Sequence, residues 1–274
     1  MEYLVCEPRH YGVHYEINPW MHTGKPADEL VAQQQWQVLK ETLIQCGAQL
    51  HVLTQPKGWP DIVFTANAGL VYKKQVVLSH FRHHERQGER PYFEAWFKAA
   101  GFNIMATPET DYQMVDGQRT YAGPCFEGAG DALFAGDVLF AGYGFRTDFE
   151  FYEQIRVLGI TQLVFCELVD PRFYHIDTCF CPLNAKQAIW WPKAFTSESQ
   201  QRMEQALELF AVPEDEALRF ACNAVVVGNY VVIPSNCPET RAILTKLGYT
   251  VRDCEMGEFL KAGGACKCLT LALD

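Results

Sequence analysis

The sequence GGACKCLTLALD, residues 263–274, closes the chain with a glycine turn, two cysteines and a short apolar strand. Chain termini are usually ragged and polar, so a terminal apolar strand is expected to pair with another strand. Two glycines permit a close approach of the backbone to a ligand. The turn could present a reactive thiol beside a cation, but a small buried cysteine explains the pattern equally well. The rest of the sequence has to decide between these two interpretations.

One pattern recurs along the chain: a helical segment ends at a glycine, and a short apolar strand follows at once. Glycine just beyond the last turn is the usual stop of a helix. The predicted helix–strand pairs are 29–45 with 48–53, 91–100 with 102–106, 149–158 with 161–166, and 238–247 with 249–254. A weaker copy has a helix over 197–210, a break at Pro213 and a strand over 217–220.

Hairpin patterns lie between these units, each with two apolar runs around a turn dipeptide. They span residues 66–79, 131–142, 178–191 and 223–233. The first strand, 3–6, lacks a preceding partner, and the last, 268–273, lacks a following one. The simplest reconciliation is a ring of about five hairpin–helix–strand units in which the two chain ends share one unit, since radial closure protects sheet edges. No linker divides the chain, so the sequence predicts a single α/β domain over residues 1–274.

The composition excludes several functional classes. A chain of 274 residues with 49% apolar content can bury a large core, and a net charge of −10 argues against a nucleic-acid partner. The absence of an 18-residue apolar run predicts no membrane span, and the N-terminus lacks the features of a signal peptide. Eleven scattered cysteines are typical of reduced thiols in a cytoplasmic protein. No cysteine or histidine spacing suits zinc, so neither a metal nor another cofactor is expected.

Polar and reactive residues gather at the starts of the hairpins, which a ring would direct toward a common centre. The stretches are Phe64-Thr65-Ala66-Asn67, Phe126-Glu127-Gly128-Ala129-Gly130-Asp131 and His175-Ile176-Asp177. Each has an ordinary explanation, because Asn and Asp are good turn residues and a buried histidine is usually structural. Their convergence with a cysteine favours a reaction centre: a thiolate attacks an electrophilic carbon, and a histidine moves the protons. Paired carboxylates suit a planar cation such as a guanidinium.

These motifs, taken in order, resemble the guanidine-modifying superfamily of pentein-fold amidinotransferases and arginine or dimethylarginine hydrolases. To the stretches above they add Gly144-Phe145-Arg146-Thr147 and the terminal Gly-Gly-Ala-Cys-Lys-Cys-Leu-Thr, so they span the chain nearly end to end. The resemblance implies a five-bladed ββαβ propeller, in agreement with the repeat count. Ala129 stands where the family usually has a second glycine, a mild departure.

The resemblance also implies roles for individual residues. Cys268, rather than Cys266, corresponds to the nucleophile, His175 to the general acid and base, and Glu127 to the group that orients His175 or assists its proton transfers. Asp177 would bind the guanidinium, and Arg146 would bind the α-carboxylate of an amino-acid substrate. The full set of predicted substrate-binding residues is Asn67, Asp177, Arg146, Asn18, Phe64, Asp131 and Arg82.

Two stretches leave alternatives open. Residues 81–86 are charged and follow a hairpin, which is typical of a solvated surface, but they could form a lid with Arg82 or Arg86 near the substrate. Trp20 lies on a loop that the resemblance places near the substrate, and an apolar loop anchor explains it equally well.

Asn67 is the important departure from the pattern of deiminases and dimethylarginine hydrolases, which have an aspartate there. The ornithine-forming arginine dihydrolases carry Asn at this position and an Asn-Pro-Trp-Met loop like residues 18–21. The predicted function is therefore a cofactor-free hydrolase that converts arginine to ornithine, ammonia and carbon dioxide through a covalent Cys268 intermediate. The alternatives are dimethylarginine hydrolysis, deimination and amidino transfer.

Two non-enzymatic alternatives are a ribosome-binding ring protein similar to a translation initiation factor, which lacks the catalytic set, and a thiol-rich metal-binding protein. For the enzyme, the expected partner is a small cationic guanidino compound, with neither nucleic acid nor membrane involved. A homo-oligomer is compatible with the sequence.

Overall fold

The computed structural model describes residues 1–105, 112–115, 118–121 and 123–274, the two short segments by their backbone alone. The strands are β1 Glu2–Glu7, β2 Gln49–Thr54, β3 Gly69–Tyr72, β4 Gln75–Leu78, β5 Asn103–Ile104, β6 Tyr112–Val115, β7 Gln118–Tyr121, β8 Ala132–Ala135, β9 Val138–Tyr143, β10 Leu163–Glu167, β11 Phe180–Pro182, β12 Gln187–Trp190, β13 Glu208–Ala211, β14 Val225–Val227, β15 Tyr230–Pro234, β16 Thr250–Cys254 and β17 Leu271–Ala272.

The α-helices are α1 Glu29–Gln45, α2 His84–Gln87, α3 Arg90–Ala99, α4 Tyr152–Ile155, α5 Ser197–Ala206, α6 Glu214–Ala217, α7 Pro238–Lys246 and α8 Gly257–Leu260. The longest, α1, begins at Asp28, whose side chain accepts hydrogen bonds from the backbone N–H groups of Leu30 and Val31. Among the helices of the described ranges, none is long and apolar enough to cross a membrane.

Five three-stranded sheets form the blades of the propeller, in agreement with the predicted fold. In each blade an antiparallel hairpin is extended by a third strand that pairs in parallel with the second. The strand orders are β17-β1-β2, β3-β4-β5, β8-β9-β10, β11-β12-β13 and β14-β15-β16, while β6 and β7 form a separate hairpin that the sequence analysis did not foresee.

The two ends of the chain share the first blade, as predicted. β17 runs antiparallel to β1 with Tyr3 opposite Ala272 and Leu4 opposite Leu271, and β2 runs parallel to β1 on its other side. The pairing explains why the chain ends in an apolar strand: Leu271 and Leu273 are buried in the core. β17 is shorter than the predicted strand 268–273 because the turn that carries Cys268 continues through residue 269.

The fourth blade corrects one prediction. The predicted helix 197–210 ends at Ala206, and the third strand is Glu208–Ala211 rather than 217–220, which is the end of α6 and the turn that follows it. β13 pairs in parallel with Gln187–Trp190, and Leu207 has already taken an extended conformation. The helical pattern of the preceding residues predicts a helix that includes Leu209 and Phe210, but these two residues belong to the strand that completes the blade.

Two smaller differences concern the second and third blades. The predicted helix 149–158 is a succession of short turns, Phe149–Phe151, α4 and Arg156–Leu158, before the left-handed Gly159. In the second blade β5 is only Asn103–Ile104, and the predicted strand end at residue 106 lies outside the described residues.

Three of the hairpins begin with a one-turn 3-10 helix that is fully buried. These turns are Thr65–Ala68, Gly128–Gly130 and Ile176–Thr178, and they lead into β3, β8 and β11. Gly128 has a φ of 61°, and a Cβ there would lie 2.8 Å from the backbone N and O of Gly69. The turns therefore pack directly on one another, which brings the side chains they carry to the centre of the ring.

Candidate active site

A cavity of about 280 Å³, including its opening to solvent, lies where these hairpin starts meet the terminal glycine turn. Six of the predicted site residues line it: Asn18, Phe64, Asn67, Arg146, His175 and Cys268. The blades thus bring together residues that are as much as 250 positions apart in the sequence.

Cys268 is held at the floor of this cavity with a side chain that is nearly buried. Its Sγ lies 3.5 and 3.4 Å from the two carboxylate oxygens of Asp177 and 3.0 Å from Nδ2 of Asn223. Burial and the charge of Asp177 raise the pKa of the Cys268 thiol well above its ordinary value. These surroundings favour the neutral thiol, which donates toward Asp177.

The glycine turn before Cys268 depends on both glycines. Gly263 has a φ of 80°, and a Cβ there would lie 2.6 Å from the hydroxyl of Tyr174. A Cβ at Gly264 would lie 2.5 Å from the ring of Phe64. The ring of Phe64 thus packs directly against the backbone of Gly264. Phe64, which was predicted to bind substrate, therefore also supports the turn that carries Cys268.

His175 sits between two carboxylates, one on each ring nitrogen. Nδ1 is 3.1 Å from Oδ2 of Asp131, and Nε2 is 3.1 Å from Oε2 of Glu127. Burial alone would lower the pKa of His175, but the charges and hydrogen bonds of Asp131 and Glu127 outweigh it and raise the pKa to about 9. The imidazole is therefore protonated at neutral pH and able to act as an acid.

Glu127 is buried and shared between His175 and Arg146. Nη1 of Arg146 lies 3.0 Å from Oε2 of Glu127, and Nη2 donates to the carbonyl of Ile17 at 2.9 Å. Burial raises the pKa of Glu127, but Arg146 and His175 outweigh this effect and hold it well below its ordinary value. The guanidinium of Arg146 also stacks over the ring of Tyr174 at 4.7 Å, so its position at the cavity wall is fixed.

The amide of Asn67 has one possible orientation. Its Oδ1 accepts a hydrogen bond from Nη1 of Arg86 at 2.8 Å, and its Nδ2 donates to the carbonyl of Glu127 at 3.0 Å. Because Arg86 has only donors and a carbonyl only accepts, a flipped amide would lose both bonds. The Nδ2 atom also lies 3.4 Å from Nε2 of His175, so Asn67 presents a donor beside His175. Gly130 is required here, because a Cβ at that position would clash with Nδ2.

The departure at Ala129 has a simple explanation. The methyl group of Ala129 lines a separate cavity on the inner strands and not the one that holds Cys268. Gly128 and Gly130, on either side, are the positions where a side chain would collide with neighbouring backbone or with Asn67. The motif therefore keeps glycine where the packing requires it.

The loop that carries Asn18 is hydrogen-bonded to the residues just before the turn that carries Cys268. Nδ2 of Asn18 donates to the hydroxyl of Tyr174 at 3.2 Å and to the carbonyl of Ala262 at 3.0 Å, and Oδ1 accepts from the backbone N–H of Trp20. Trp20 itself is a loop anchor: its Nε1 donates to the carbonyl of Arg172 at 2.7 Å. Trp20 does not line the cavity.

Four predicted site residues lie outside the cavity lining: Arg82, Glu127, Asp131 and Asp177. Asp131 is behind His175, where it also accepts from the hydroxyl of Thr147 at 2.7 Å, so its place is that of a histidine partner. The side chain of Arg82 pairs with Asp148, and only its backbone N–H reaches Glu127, at 3.2 Å. A role for Asp131 or Arg82 in direct substrate binding stays a prediction.

Three residues of the site were absent from the predicted set. Asp61 and Arg86 line the cavity, and Asn223 contacts the sulfur of Cys268. The sequence leaves open whether Arg82 or Arg86 of the charged stretch 81–86 lies near the substrate, and no motif indicates Asp61. Asn223 could have been found, because it begins a hairpin in the same way as Asn67 and Asp177.

Comparison with known proteins shows the family to which this chain belongs. The family described as N,N dimethylarginine dimethylhydrolase, eukaryotic, matches residues 20–273. The bifunctional arginine dihydrolase/ornithine cyclodeaminase ArgZ of Synechocystis sp. is 44% identical over 275 residues, which cover 98% of this chain and 37% of ArgZ. The N(G),N(G)-dimethylarginine dimethylaminohydrolase of Mycobacterium tuberculosis is 34% identical over 273 residues, covering 99% of this chain and 85% of that protein.

Solved structures show the same relationship. The N-terminal domain of ArgZ bound to product, described as an arginine dihydrolase, has a TM-score of 0.91 at 43% identity and covers 100% of this chain and 97% of that chain. A dimethylarginine dimethylaminohydrolase adduct with 4-chloro-2-hydroxymethylpyridine, at 20% identity, shares the fold with a TM-score of 0.74. The chain therefore spans about a third of full-length ArgZ and almost all of its solved N-terminal domain.

Proposed function

The chain belongs to the N,N-dimethylarginine dimethylhydrolase family of guanidine-modifying hydrolases, and from that premise we propose that it hydrolyses arginine to ornithine, ammonia and carbon dioxide. The reaction proceeds through a covalent bond between the guanidine carbon and Sγ of Cys268. Its overall balance is one arginine and two waters to one ornithine, two ammonia and one carbon dioxide.

The orientation of Asn67 is the observation that carries the proposal beyond a single hydrolysis. A guanidinium offers only N–H donors, whereas the ureido group formed by its first hydrolysis offers a carbonyl acceptor. Oδ1 of Asn67 accepts from Arg86 and one N–H of Nδ2 donates to the carbonyl of Glu127, which leaves the second N–H of Nδ2 as a donor that Asn67 can offer to a ligand. A donor at Asn67 together with the acceptor oxygens of Asp177 matches a ureido group, so the site can retain this intermediate for the second hydrolysis.

Binding of the cation starts the chemistry. Asp177 and Asp61 accept the N–H groups of the guanidinium. Asp61 is 1% exposed; burial raises the pKa of its carboxyl, and the nearby Arg86 opposes that shift. A cation between Asp177 and Cys268 lowers the thiol pKa that burial had raised. Arg146, at the cavity wall, binds the α-carboxylate of the substrate.

In the first half of the reaction, Sγ of Cys268 bonds to the guanidine carbon and one terminal C–N bond breaks. The thiol proton passes to solvent as the cation binds, and the leaving ammonia takes a proton from the His175 imidazolium, which becomes a neutral imidazole. Water then adds to the thiouronium carbon, His175 accepts a water proton, and the C–S bond breaks to give the ureido compound and the free thiol.

In the second half, the thiol of Cys268 attacks the carbonyl carbon of the ureido compound, and the second ammonia leaves with the thiol proton. Water hydrolyses the resulting thiocarbamate to a carbamate, which loses carbon dioxide and leaves ornithine. Glu127 and Asp131 keep His175 between them in both halves, so the same imidazole serves each proton transfer.

A product assay tests the proposal. The protein is incubated separately with arginine, citrulline, dimethylarginine and agmatine, and products are identified by mass spectrometry, with Cys268→Ala as the inactive control. Ornithine and two ammonia per arginine are expected. Citrulline as the end product would assign deimination instead, and dimethylamine release from dimethylarginine would assign the activity named in the family description. No turnover, with Cys268 unlabelled by an amidine electrophile, would overturn the enzyme proposal for this substrate class.

A cytoplasmic location is part of the same proposal. All eleven cysteines are unpaired, and ten of them are buried, which suits a reducing compartment.

A further inference from the structure

Asn223 is a fully buried amide at the start of the hairpin formed by β14 and β15, and its side chain reaches the nucleophile turn. On the premise that Cys268 is the nucleophile of the proposed hydrolase, we propose that Asn223 is a further catalytic residue: its Nδ2 donates a hydrogen bond to the Cys268 sulfur and stabilises the thiolate. The proposal rests on how the two ends of this amide are used.

The oxygen of the amide organises the turn. Oδ1 of Asn223 accepts from the backbone N–H groups of Ala265, Lys267 and Cys268 at 3.1, 3.0 and 3.1 Å. Three donors converge on one carbonyl oxygen, so this oxygen is saturated and cannot exchange places with the amide nitrogen. The turn and the orientation of the amide therefore fix each other.

The nitrogen of the amide faces the chemistry. One N–H of Nδ2 points to the carbonyl of Asp177 at 2.9 Å, and the other points to Sγ of Cys268 at 3.0 Å. A neutral thiol accepts hydrogen bonds weakly, whereas a thiolate accepts them strongly, so this donor favours the ionised form.

The electrostatic setting explains why the donor matters. The carboxylate of Asp177 lies 3.4 Å from the same sulfur and opposes its ionisation. Among the groups that act on this thiol in the described structure, Asn223 is the side chain whose hydrogen bond works in the opposite direction. Asn223 also fixes the backbone of Asp177, whose carbonyl accepts its other N–H.

Asn223→Asp is the informative substitution because it keeps the size and the acceptor oxygen but removes the N–H donors. The rate of iodoacetamide alkylation at Cys268 is measured from pH 6 to 11 without substrate by peptide mass spectrometry. The apparent pKa of Cys268 is expected to rise by about one unit or more, which slows alkylation about tenfold at pH 8, since the thiolate fraction falls tenfold per unit. For arginine turnover, kcat is expected to fall about 10²-fold with a smaller change in KM.

Asn184→Asp is the matched control. Oδ1 of Asn184 also accepts from backbone N–H groups of a turn, those of Lys186 and Gln187. Its substitution by Asp adds the same negative charge, but Asn184 lies on the exposed turn between β11 and β12. Its alkylation profile at Cys268 and its arginine turnover are expected to match those of the unsubstituted protein.

Asn223→Ala removes the donor without adding a charge, and melting temperatures show which variants are folded. A raised Cys268 pKa in every folded Asn223 variant supports the proposal; an unchanged alkylation profile in a folded Asn223 variant overturns it. Because alkylation needs no substrate, this result is independent of whether the protein hydrolyses arginine. Conversely, failure of arginine turnover in the unsubstituted protein would count against the proposed function and not against the thiol assignment.

Discussion

Two groups of residues, in and directly behind the cavity lining, use buried charge in different ways; they are named the reaction wall and the arginine wall. The reaction wall consists of Glu127, Asp131, His175, Asp177 and Cys268, and two of these groups, His175 and Asp177, have pKa values near the working range. The two neighbouring carboxylates raise the pKa of His175 to about 9. The pKa of Asp177 rises to about 6 because burial outweighs the opposing influence of Lys267 and His175. These groups can gain and lose protons during a reaction at neutral pH.

The arginine wall consists of Asp61, Asn67, Arg86 and Glu89, and it is a fixed network. Arg86 forms two hydrogen bonds to the Glu89 carboxylate, at 2.9 and 2.8 Å, one to Asn67, and one to the Asp61 carbonyl at 3.1 Å. An arginine does not lose its proton, so Arg86 stays charged and determines which way the Asn67 amide faces, while burial raises the pKa of the Glu89 carboxyl to about 7. The histidine that moves protons in the proposed reaction thus lies apart from the arginine that orients Asn67.

Removing the thiol of Cys268, the proposed nucleophile, has the largest expected effect. Cys268→Ala is expected to lower arginine turnover by about 10³-fold or more, because no covalent intermediate can form. Arginine binding should persist, since the cation contacts Asp177 and Asp61 remain, so arginine still raises the melting temperature. Loss of arginine stabilisation together with turnover would instead indicate a damaged cavity.

Cys266 provides the matched control two residues away. It is fully buried, and burial raises its thiol pKa well above the ordinary value. Cys266→Ala leaves a small void that costs about 1–2 kcal/mol of stability, and turnover is expected to stay within several-fold. Equal losses in the two alanine variants would contradict the assignment of Cys268 as the nucleophile.

Breaking the arginine wall should affect stability first. Arg86→Met leaves the Glu89 carboxylate buried without its partner, and we expect a loss of about 3–5 kcal/mol in the free energy of unfolding. Urea denaturation measures the loss. The double variant Arg86→Met with Glu89→Leu removes the stranded charge and should recover most of it. A single variant as stable as the unsubstituted protein would show that the network is not the fixed element described above.

Substitution at the junction of the two walls tests the donor role of Asn67. Asn67→Asp keeps an acceptor for Arg86 but replaces the N–H donor beside His175, so the ureido intermediate loses its carbonyl partner. We expect the second hydrolysis to slow by about 10²-fold, so that citrulline accumulates at the expense of ornithine. Mass spectrometry of the products over time measures the ratio. Ornithine formed without citrulline in this variant would refute the donor role of Asn67.

The reaction wall was largely predictable from the sequence because it is built from repeats. The hairpin starts at Glu127, His175 and Asp177 occupy equivalent positions in successive blades, so a ring was enough to bring them together. The shared first blade followed from two unpaired terminal strands, β1 and β17.

The arginine wall could not be predicted in the same way, because it comes from the irregular segments 60–63 and 84–90. Neither Asp61 nor Arg86 has a position in the repeat, and the choice between Arg82 and Arg86 depends on a buried partner. Glu89 is that partner, and its pairing with Arg86 across one helical turn draws Arg86 inward, while Arg82 turns to Asp148. Local spacing alone does not distinguish the two arginines.

The pH dependence of kcat/KM for arginine gives the smallest and most specific test of the reaction wall. Asp177 must be ionised to bind the cation, so activity is expected to fall as the pH drops through about 6. His175 must be protonated to assist the leaving ammonia, so activity is expected to fall as the pH rises through about 9. Each limb should change about tenfold per pH unit. The other deeply buried histidine, His80, does not interfere, because burial lowers its pKa to about 3.

Asp131→Asn identifies the origin of the alkaline limb. Removing the carboxylate on Nδ1 lowers the pKa of His175, so the alkaline limb should move toward neutral pH by about one unit while the acid limb stays near pH 6. Asp137→Asn, on the exposed turn between β8 and β9, makes the same change in charge away from the cavity and should leave both limbs in place. If the Asp131 variant kept its alkaline limb near pH 9, the limb would belong to another group, and His175 would lose its place as the acid of the reaction.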